Sequence, residues 1–214
     1  MRRFERVDAP PFWGAREAAW KASAPRTSGK EALRNREHER RSLASWFHEL
    51  VRPSEEPRNC AYCDGCLMGT SPETIDHFVP EARDPELGLA WSNLYPACAA
   101  YNTTRKGERW DDGLLRPEEF CAKHVVVDME TGELLPAEDL DPRTISRLTV
   151  TIELLGLNEK PRPGLRRRAF REVLAAKRSG DFELSQAQVR QGPYRFIATN
   201  VLSEWSRRML LNTP

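Results

Sequence analysis

The fold is decided by the stretch from residue 60 to residue 107, CAYCDGCLMGTSPETIDHFVPEARDPELGLAWSNLYPACAAYNTTRKG. Four short pieces of it carry the residue types that perform chemistry or bind metals, namely residues 60–63, 75–80, 91–94 and 98–107. Gly and Pro punctuate the connections between them, which favours short strands and turns over long helices. We therefore expect a small module that spans about residues 58–110.

The flanking sequence predicts mainly helices. Residues 1–57 are expected to form an N-terminal helical segment, in which residues 14–50, rich in Ala, Arg and Glu, predict two helices with a break near residues 25–29. Residues 111–214 begin with a predicted hairpin that turns at residues 129–132 and continue with three helices, the first starting at Asp141-Pro142. The expected fold class is α+β, with helices packed around a small cysteine-bearing β core.

The composition is that of a soluble globular protein. Hydrophobic residues make up 39% and charged residues 30%, and 33 basic against 32 acidic side chains leave a net charge of +1. No apolar run reaches the roughly 18 residues that a membrane span requires. Residues 1–14 lack the apolar core of a secretory signal. We therefore expect a cytoplasmic protein without a membrane partner.

The charges are sorted along the chain. Residues 108–142 hold 11 acidic and 3 basic side chains, whereas residues 160–178 hold 8 basic and 1 acidic. Such a distribution permits an anionic partner although the net charge is near zero. Each segment is equally consistent with a solvated helix face.

Taken together and in this order, the four pieces resemble the HNH nuclease family, whose ββα-metal fold places two strands and a helix around one divalent cation. The flanks extend the resemblance: the helical N-terminal segment, the acidic hairpin and residues 151–158 before an arginine-rich helix are similar to the HNH subunit of Septu anti-phage systems. This resemblance implies an endonuclease that hydrolyses DNA phosphodiester bonds in an anti-phage defence complex. It also implies a partner ATPase, whose phosphate-binding G-x-x-x-x-G-K-[ST] loop does not occur in this sequence.

Four polar side chains form the expected catalytic centre. His77 is the only histidine beside a carboxylate in the module, and an imidazole exchanges a proton near neutral pH, so we expect His77 to be the general base. Asp76 offers the hard oxygen that Mg²⁺ or Mn²⁺ prefers, and its side chain diverges from that of His77 on an extended segment. By the resemblance, Asn102 stands where the family carries its final His or Asn and completes the metal ligands, and Asn93 ties the strands together and orients His77.

Each of these residues also has a plainer interpretation. His77 could be satisfied inside a small core, and Asp76 could cap a turn. Asn102 could cap the helix that it begins, and Asn93 could simply stabilise a loop.

The cysteines predict a second, structural metal site. The closely spaced Cys60 and Cys63, together with Cys98, are the expected ligands of one Zn²⁺, which in many relatives is bound by two Cys-x-x-Cys pairs. Here Tyr101 occupies the place of the fourth cysteine. Cys66 is one candidate for the missing ligand, and Cys121 and His124, spaced as Cys-x-x-His, are the others.

Basic side chains supply candidate contacts to the phosphates of a nucleic acid. Lys106 and Arg105 follow Asn102 in the predicted helix, and a further cluster comprises Arg166, Arg167 and Arg168 with Arg171. The cluster could equally bind the acidic hairpin or a protein partner.

Two other functions remain open at the level of sequence. The broken cysteine pair favours a degenerate HNH module that binds nucleic acid or a partner without cleavage. The same core residues would also suit a metal-dependent phosphodiesterase that acts on RNA or a nucleotide. Retention of Asp76, His77 and Asn102 argues for cleavage.

Overall fold

The computed structural model describes residues 4, 6, 8–23, 59–65, 67, 73–99, 101–102, 106–180, 194 and 197. Within them the chain forms a small α+β fold, in agreement with the expected class, with two antiparallel sheets of two strands each. A search of the same residues finds no helix with the length and apolarity to cross a membrane. In chain order the elements are α1 (Trp13–Ser23), β1 (Glu73–His77), β2 (Leu94–Cys98), β3 (Val125–Val127), β4 (Leu134–Pro136), α2 (Pro142–Leu154) and α3 (Arg162–Arg178).

The first sheet carries the predicted chemistry. β1 and β2 pair antiparallel, with Asp76 opposite Tyr95 and His77 opposite Leu94. Because side chains alternate between the two faces of a strand, Asp76 is only 2% exposed whereas its neighbours Ile75 and His77 are half-buried. β2 is buried along its whole length. The sheet thus places a carboxylate inside the core and an imidazole at the strand end.

The connection from β1 to β2, residues 78–93, is ordered by packing against α1. The indole Nε1 of Trp13 donates to the Leu89 carbonyl at 2.9 Å, and that of Trp20 donates to the Pro85 carbonyl at 2.7 Å. These contacts seal a small apolar cluster made of Trp13, Trp20, Leu89, Trp91 and Leu94. Burial of these side chains stabilises the short 3₁₀ helix Pro85–Leu89, which lies beside His77.

The chain becomes helical after β2. The Gly107 amide donates to the Asn102 carbonyl at 3.1 Å, five residues back, so this turn has the wider spacing of a π-helix. Single π turns occur frequently at functional sites.

The C-terminal elements follow the predicted order. β3 and β4 pair with Val126 opposite Leu135, which confirms the predicted hairpin. Asp141 caps α2 by accepting a hydrogen bond from the Thr144 amide at 3.0 Å. Such a cap satisfies an amide that has no partner within the helix, and the predicted start of this helix is confirmed.

α3 matches the expected apolar face only in part. We predicted that Leu165, Phe170, Val173 and Leu174 lie on the face opposite Arg166, Arg167, Arg168, Arg171 and Lys177. Val173 is buried, and Leu165 and Phe170 are partly buried against the core, but Arg162 and Arg166 are buried as well.

Some predictions lie outside the described residues. They concern the second N-terminal helix, Cys66 and Arg105. The last predicted helix is described only at Tyr194 and Ile197, both of which are buried.

Candidate active site and cysteine cluster

A cleft of about 470 Å³ opens where β1 ends and the π turn begins. Three of the predicted catalytic residues, Asp76, His77 and Asn102, share its wall. They come from two separate parts of the chain, β1 and the helical segment after β2. The remaining lining residues are Pro80, Glu81, Ala82, Pro85, Gly107 and Glu108.

His77 is oriented by a backbone carbonyl. Its Nε2 lies 2.8 Å from the Gly88 oxygen. A carbonyl oxygen only accepts hydrogen bonds, so Nε2 is the nitrogen that carries the proton. In the neutral ring Nδ1 is then the acceptor. The imidazole is therefore held in the tautomer that a general base would use at Nδ1.

The Gly88 carbonyl is itself held by close packing. A Cβ at residue 88 would lie 2.7 Å from the indole ring of Trp20, a separation that side chains do not tolerate. Only glycine therefore fits beneath this ring. Trp20 thus sets the position of the carbonyl that orients His77, and sequence patterns did not reveal this link.

Asn93 closes the loop between the two strands. Its Oδ1 accepts from the Val79 amide at 2.8 Å, and its Nδ2 donates to the carbonyls of Val79 and Leu87 at 3.0 and 3.1 Å. The side chain is buried. These bonds join the two ends of the loop that carries Gly88.

Asn102 connects the helical segment to β1. Its Nδ2 donates to the Ile75 carbonyl at 2.7 Å. Because that carbonyl can only accept, the amide nitrogen faces β1 and Oδ1 is the end of the amide left for another partner. An amide oxygen is a ligand that Mg²⁺ and Mn²⁺ accept.

Asp76 is held in a buried network. Lys106 Nζ lies 3.1 Å from its Oδ1 and 3.0 Å from its Oδ2, and the Tyr62 hydroxyl donates to Oδ2. Burial raises the pKa of Asp76, while the Lys106 ammonium and the Tyr62 hydroxyl oppose that rise. Burial and the neighbouring carboxylate raise the pKa of Tyr62 well above its usual value, so Tyr62 remains a neutral donor.

Lys106 therefore departs from its predicted role as a phosphate contact. Its side chain is 0% exposed, and Nζ also donates to the His77 carbonyl at 2.5 Å. An ammonium enclosed by Asp76 and His77 is out of reach of a phosphate in this conformation. The sequence held no signal for this pair, which joins residues 30 positions apart.

The arginine cluster of α3 divides into buried and exposed members. Arg166 is 2% exposed and donates to the carbonyls of Gly132 and Leu157 at 2.6 and 2.8 Å. It therefore ties the hairpin to α3 and is not a surface phosphate contact. Arg167 is half-buried and donates to the Glu130 carbonyl at 2.9 Å. The Arg168 side chain is 78% exposed and pairs with Glu172, so it remains a candidate contact.

The predicted cysteine cluster is present. The sulfur atoms of Cys60, Cys63 and Cys98 lie within 4.8 Å of one another, close enough to hold a metal ion. Hydrogen bonds from Cys60 and Cys63 lower the pKa of Cys98 to about 3, whereas burial raises the pKa of Cys60 to about 12. One of the three clustered sulfur atoms, that of Cys98, is therefore a thiolate, and a thiolate beside two thiols suits a cation.

The distances between possible ligand atoms also test the candidates for a fourth ligand of the thiol cluster. Among the described residues, the group able to hold a metal does not include Cys121 or His124. Tyr101 is fully buried, and its hydroxyl has no hydrogen-bond partner in the described part of the chain. The Arg162 guanidinium lies over the Tyr101 ring, 4.0 Å from its centre. A buried cation therefore adjoins the thiol cluster.

Comparison with known proteins finds no family model that matches the chain, and no curated protein gives a significant match.

Proposed function

We propose that the protein is a metal-dependent HNH endonuclease that hydrolyses DNA phosphodiester bonds. One observation carries the proposal: His77, with Nδ1 as its acceptor nitrogen, lines the same cleft as the carboxylate of Asp76 and the amide of Asn102. A base beside two oxygen ligands is the arrangement that hydrolysis of a phosphodiester needs.

The roles follow from the contacts of each side chain. His77 Nδ1 takes a proton from the water that attacks phosphorus, and the bond from phosphorus to the 3′ oxygen breaks. Gly88 keeps the imidazole in register through its carbonyl, and Asn93 holds the loop that carries Gly88. Asp76 and Asn102 would hold one Mg²⁺ or Mn²⁺, which supplies positive charge for the phosphorane and the leaving oxygen.

The donor set fits such a cation. Asp76 already binds a positive group, the Lys106 ammonium, through both carboxylate oxygens. Asn102 contributes a neutral amide oxygen. Hard oxygen ligands select Mg²⁺ and Mn²⁺ over softer metals.

The thiol cluster would hold a structural Zn²⁺. Cys60 and Cys63 precede β1, whereas Cys98 ends β2, so a metal there would fasten the chain before the sheet to the sheet itself. Sulfur-rich sites of this kind are structural in most proteins. A role as the effector of a cytoplasmic anti-phage complex, with a partner ATPase, rests on the sequence resemblance.

The test is cleavage of supercoiled plasmid by the protein, alone and with any ATPase encoded beside it, in Mg²⁺, Mn²⁺ or EDTA. We expect nicking that requires the metal and is lost in His77→Ala. The matched control is His124→Ala, since His124 lies outside the cleft lining. Equal nicking by wild type and His77→Ala would refute the assignment of the base. RNA added as a competing substrate identifies a ribonuclease if the RNA is cleaved in place of the plasmid.

One observation favours the second candidate, a module that binds without cleavage. The ion pair with Lys106 occupies the carboxylate that a catalytic metal would need. A module of this kind would bind DNA in the same assay and leave it intact in both Mg²⁺ and Mn²⁺.

A further inference from the structure

The Lys106 ammonium occupies the place beside Asp76 that a bound metal cation would need. Its Nζ has three hydrogen-bond donors, and three oxygens surround it: both carboxylate oxygens of Asp76, at 3.1 and 3.0 Å, and the His77 carbonyl at 2.5 Å. The ammonium is therefore fully satisfied. It is also completely enclosed, since the side chain is 0% exposed.

We propose that Lys106 is a built-in competitor for the divalent cation, so that the ammonium and the metal bind Asp76 in turn. This inference rests on the proposed function and assigns to Lys106 the control of metal affinity. A divalent ion that ligates Asp76 would lie beside the ammonium in a poorly hydrated site, where like charges repel strongly. Binding of the metal therefore requires Lys106 to withdraw.

The surroundings of Lys106 provide a route for withdrawal. Its side chain is a flexible four-carbon stem, and the next residue, Gly107, lines the cleft with a φ of +49° and open space where a Cβ would be. Glycine is the residue that changes backbone conformation there at least cost. Glu81 and Glu108 line the same cleft, and their negative charge would attract the displaced ammonium.

Withdrawal of Lys106 would also affect His77, the proposed catalytic base. Lys106 binds the His77 carbonyl as well as Asp76, so the same movement releases the backbone of His77. The described conformation is then the latent form, and the metal-bound form differs at both residues.

Competition by Lys106 should lower the apparent affinity of the site for Mn²⁺ by a measurable factor. When the binding-competent form is a minor fraction, the apparent affinity falls by that fraction. A variant without the ammonium escapes this loss, so Lys106→Met should bind Mn²⁺ about tenfold more tightly or better if the competent form is about a tenth of the population. A residue that merely supports the fold would weaken binding when removed.

The experiment measures Mn²⁺ binding to zinc-loaded protein by electron paramagnetic resonance of the free ion. Wild type is compared with Lys106→Met, with Lys123→Met as the control for an exposed lysine and with Asp76→Asn. We expect tighter binding only in Lys106→Met and loss in Asp76→Asn. Equal or weaker binding by Lys106→Met would overturn the inference and leave the proposed function standing. If Mn²⁺ binding is absent, or does not depend on Asp76, the metal site fails and the proposed function fails with it.

A measurement on the wild-type protein covers the case in which Lys106→Met does not fold. Lysines of the zinc-loaded protein are acetylated without or with added Mn²⁺, and the modified sites are counted by mass spectrometry. We expect Lys106 to be protected without Mn²⁺ and modified with Mn²⁺, whereas the exposed Lys123 and Lys160 are modified in both conditions. The same protection of Lys106 in both conditions would overturn the inference.

Discussion

The Nε2 of His77 lies 2.8 Å from the carbonyl oxygen of Gly88, on a loop whose backbone passes directly beneath the ring of Trp20. The imidazole therefore depends on a residue of α1 that is distant in sequence. Three steps connect them: the indole packs on Gly88, the packing places the carbonyl, and the carbonyl selects the tautomer of His77.

Gly88→Ala should damage both stability and catalysis. The added Cβ would lie 2.7 Å from the Trp20 ring, and overpacking of this kind costs roughly 1–3 kcal/mol of unfolding free energy. The shifted carbonyl would release His77 from its tautomer, so we expect plasmid nicking to fall about tenfold, the equivalent of one hydrogen bond. Urea denaturation and nicking rates provide the two readouts.

Gly14→Ala is the matched control for that variant. Gly14 lies in α1, and a Cβ there meets nothing within 4 Å. Alanine favours a helix over glycine by roughly 1 kcal/mol, so this variant should be as stable as wild type or slightly more so. Unchanged nicking in Gly88→Ala would show that the Gly88 carbonyl does not set the base.

Asn93→Asp should separate a positioning role from a purely structural one. The substitution removes the two hydrogen bonds that Nδ2 donates to Val79 and Leu87. A buried polar group left without a partner costs roughly 1–3 kcal/mol. We expect lower stability and a loss of nicking that persists at temperatures where the variant is fully folded.

Asn158→Asp is the comparison that isolates the catalytic part. Asn158 makes the same kind of bridge to Leu134, accepting from its amide at 2.7 Å and donating to its carbonyl at 2.9 Å. This bridge joins β4 to the turn between α2 and α3 and not the loop that carries Gly88. We expect it to lose stability and keep nicking activity. Equal activities in the two folded variants would make Asn93 a structural residue only.

Local patterns predicted the elements but not the contacts between them. The hairpin at β3 and β4 and the start of α2 depend on turn residues and a capping aspartate a few positions away, so sequence alone indicated them. The cysteine cluster was also predicted, because Cys60 and Cys63 are close in sequence and Cys98 fits the spacing of the resemblance.

The missed features depend on partners far along the chain. Lys106 is buried because Asp76 accepts its ammonium, and Arg166 is buried because the Gly132 carbonyl lies above α3. A helical pattern of charges places both residues on a solvated face, since charged side chains are rarely buried unless they are paired. Only the tertiary structure supplies the pairs.

Arg166→Met should destabilise the protein, whereas Arg168→Met should not. Removal of the Arg166 guanidinium leaves the buried carbonyls of Gly132 and Leu157 without donors, and we expect a loss of roughly 2–4 kcal/mol of unfolding free energy. Exposed ion pairs such as that of Arg168 with Glu172 contribute roughly 0–1 kcal/mol. Thermal denaturation measures both variants. If α3 contacts DNA, Arg168→Met should instead weaken DNA binding at low salt.

Metal binding to the thiol cluster should release about two protons at neutral pH. A metal binds thiolates, so each protonated cysteine must lose its proton. The pKa of Cys98 is lowered to about 3, so its proton is already gone at pH 7. Burial raises the pKa of Cys60 to about 12, and hydrogen bonding with Cys60 raises that of Cys63 well above its usual value, so both are still protonated.

The affinity of the thiol cluster for a metal should rise with pH, because two protons are released for each metal ion bound. The expected rise is about a hundredfold for each pH unit between 6 and 8. Titration of metal-free protein with Co²⁺, followed by the absorption of the cobalt–thiolate bond, measures the slope. Cys98→Ser should weaken binding strongly, whereas Cys121→Ser should leave it unchanged, because Cys121 lies outside the group of sulfur atoms. A slope of three protons would mean that Cys98 is protonated before the metal arrives, and a slope near zero would mean that these thiols are not the ligands.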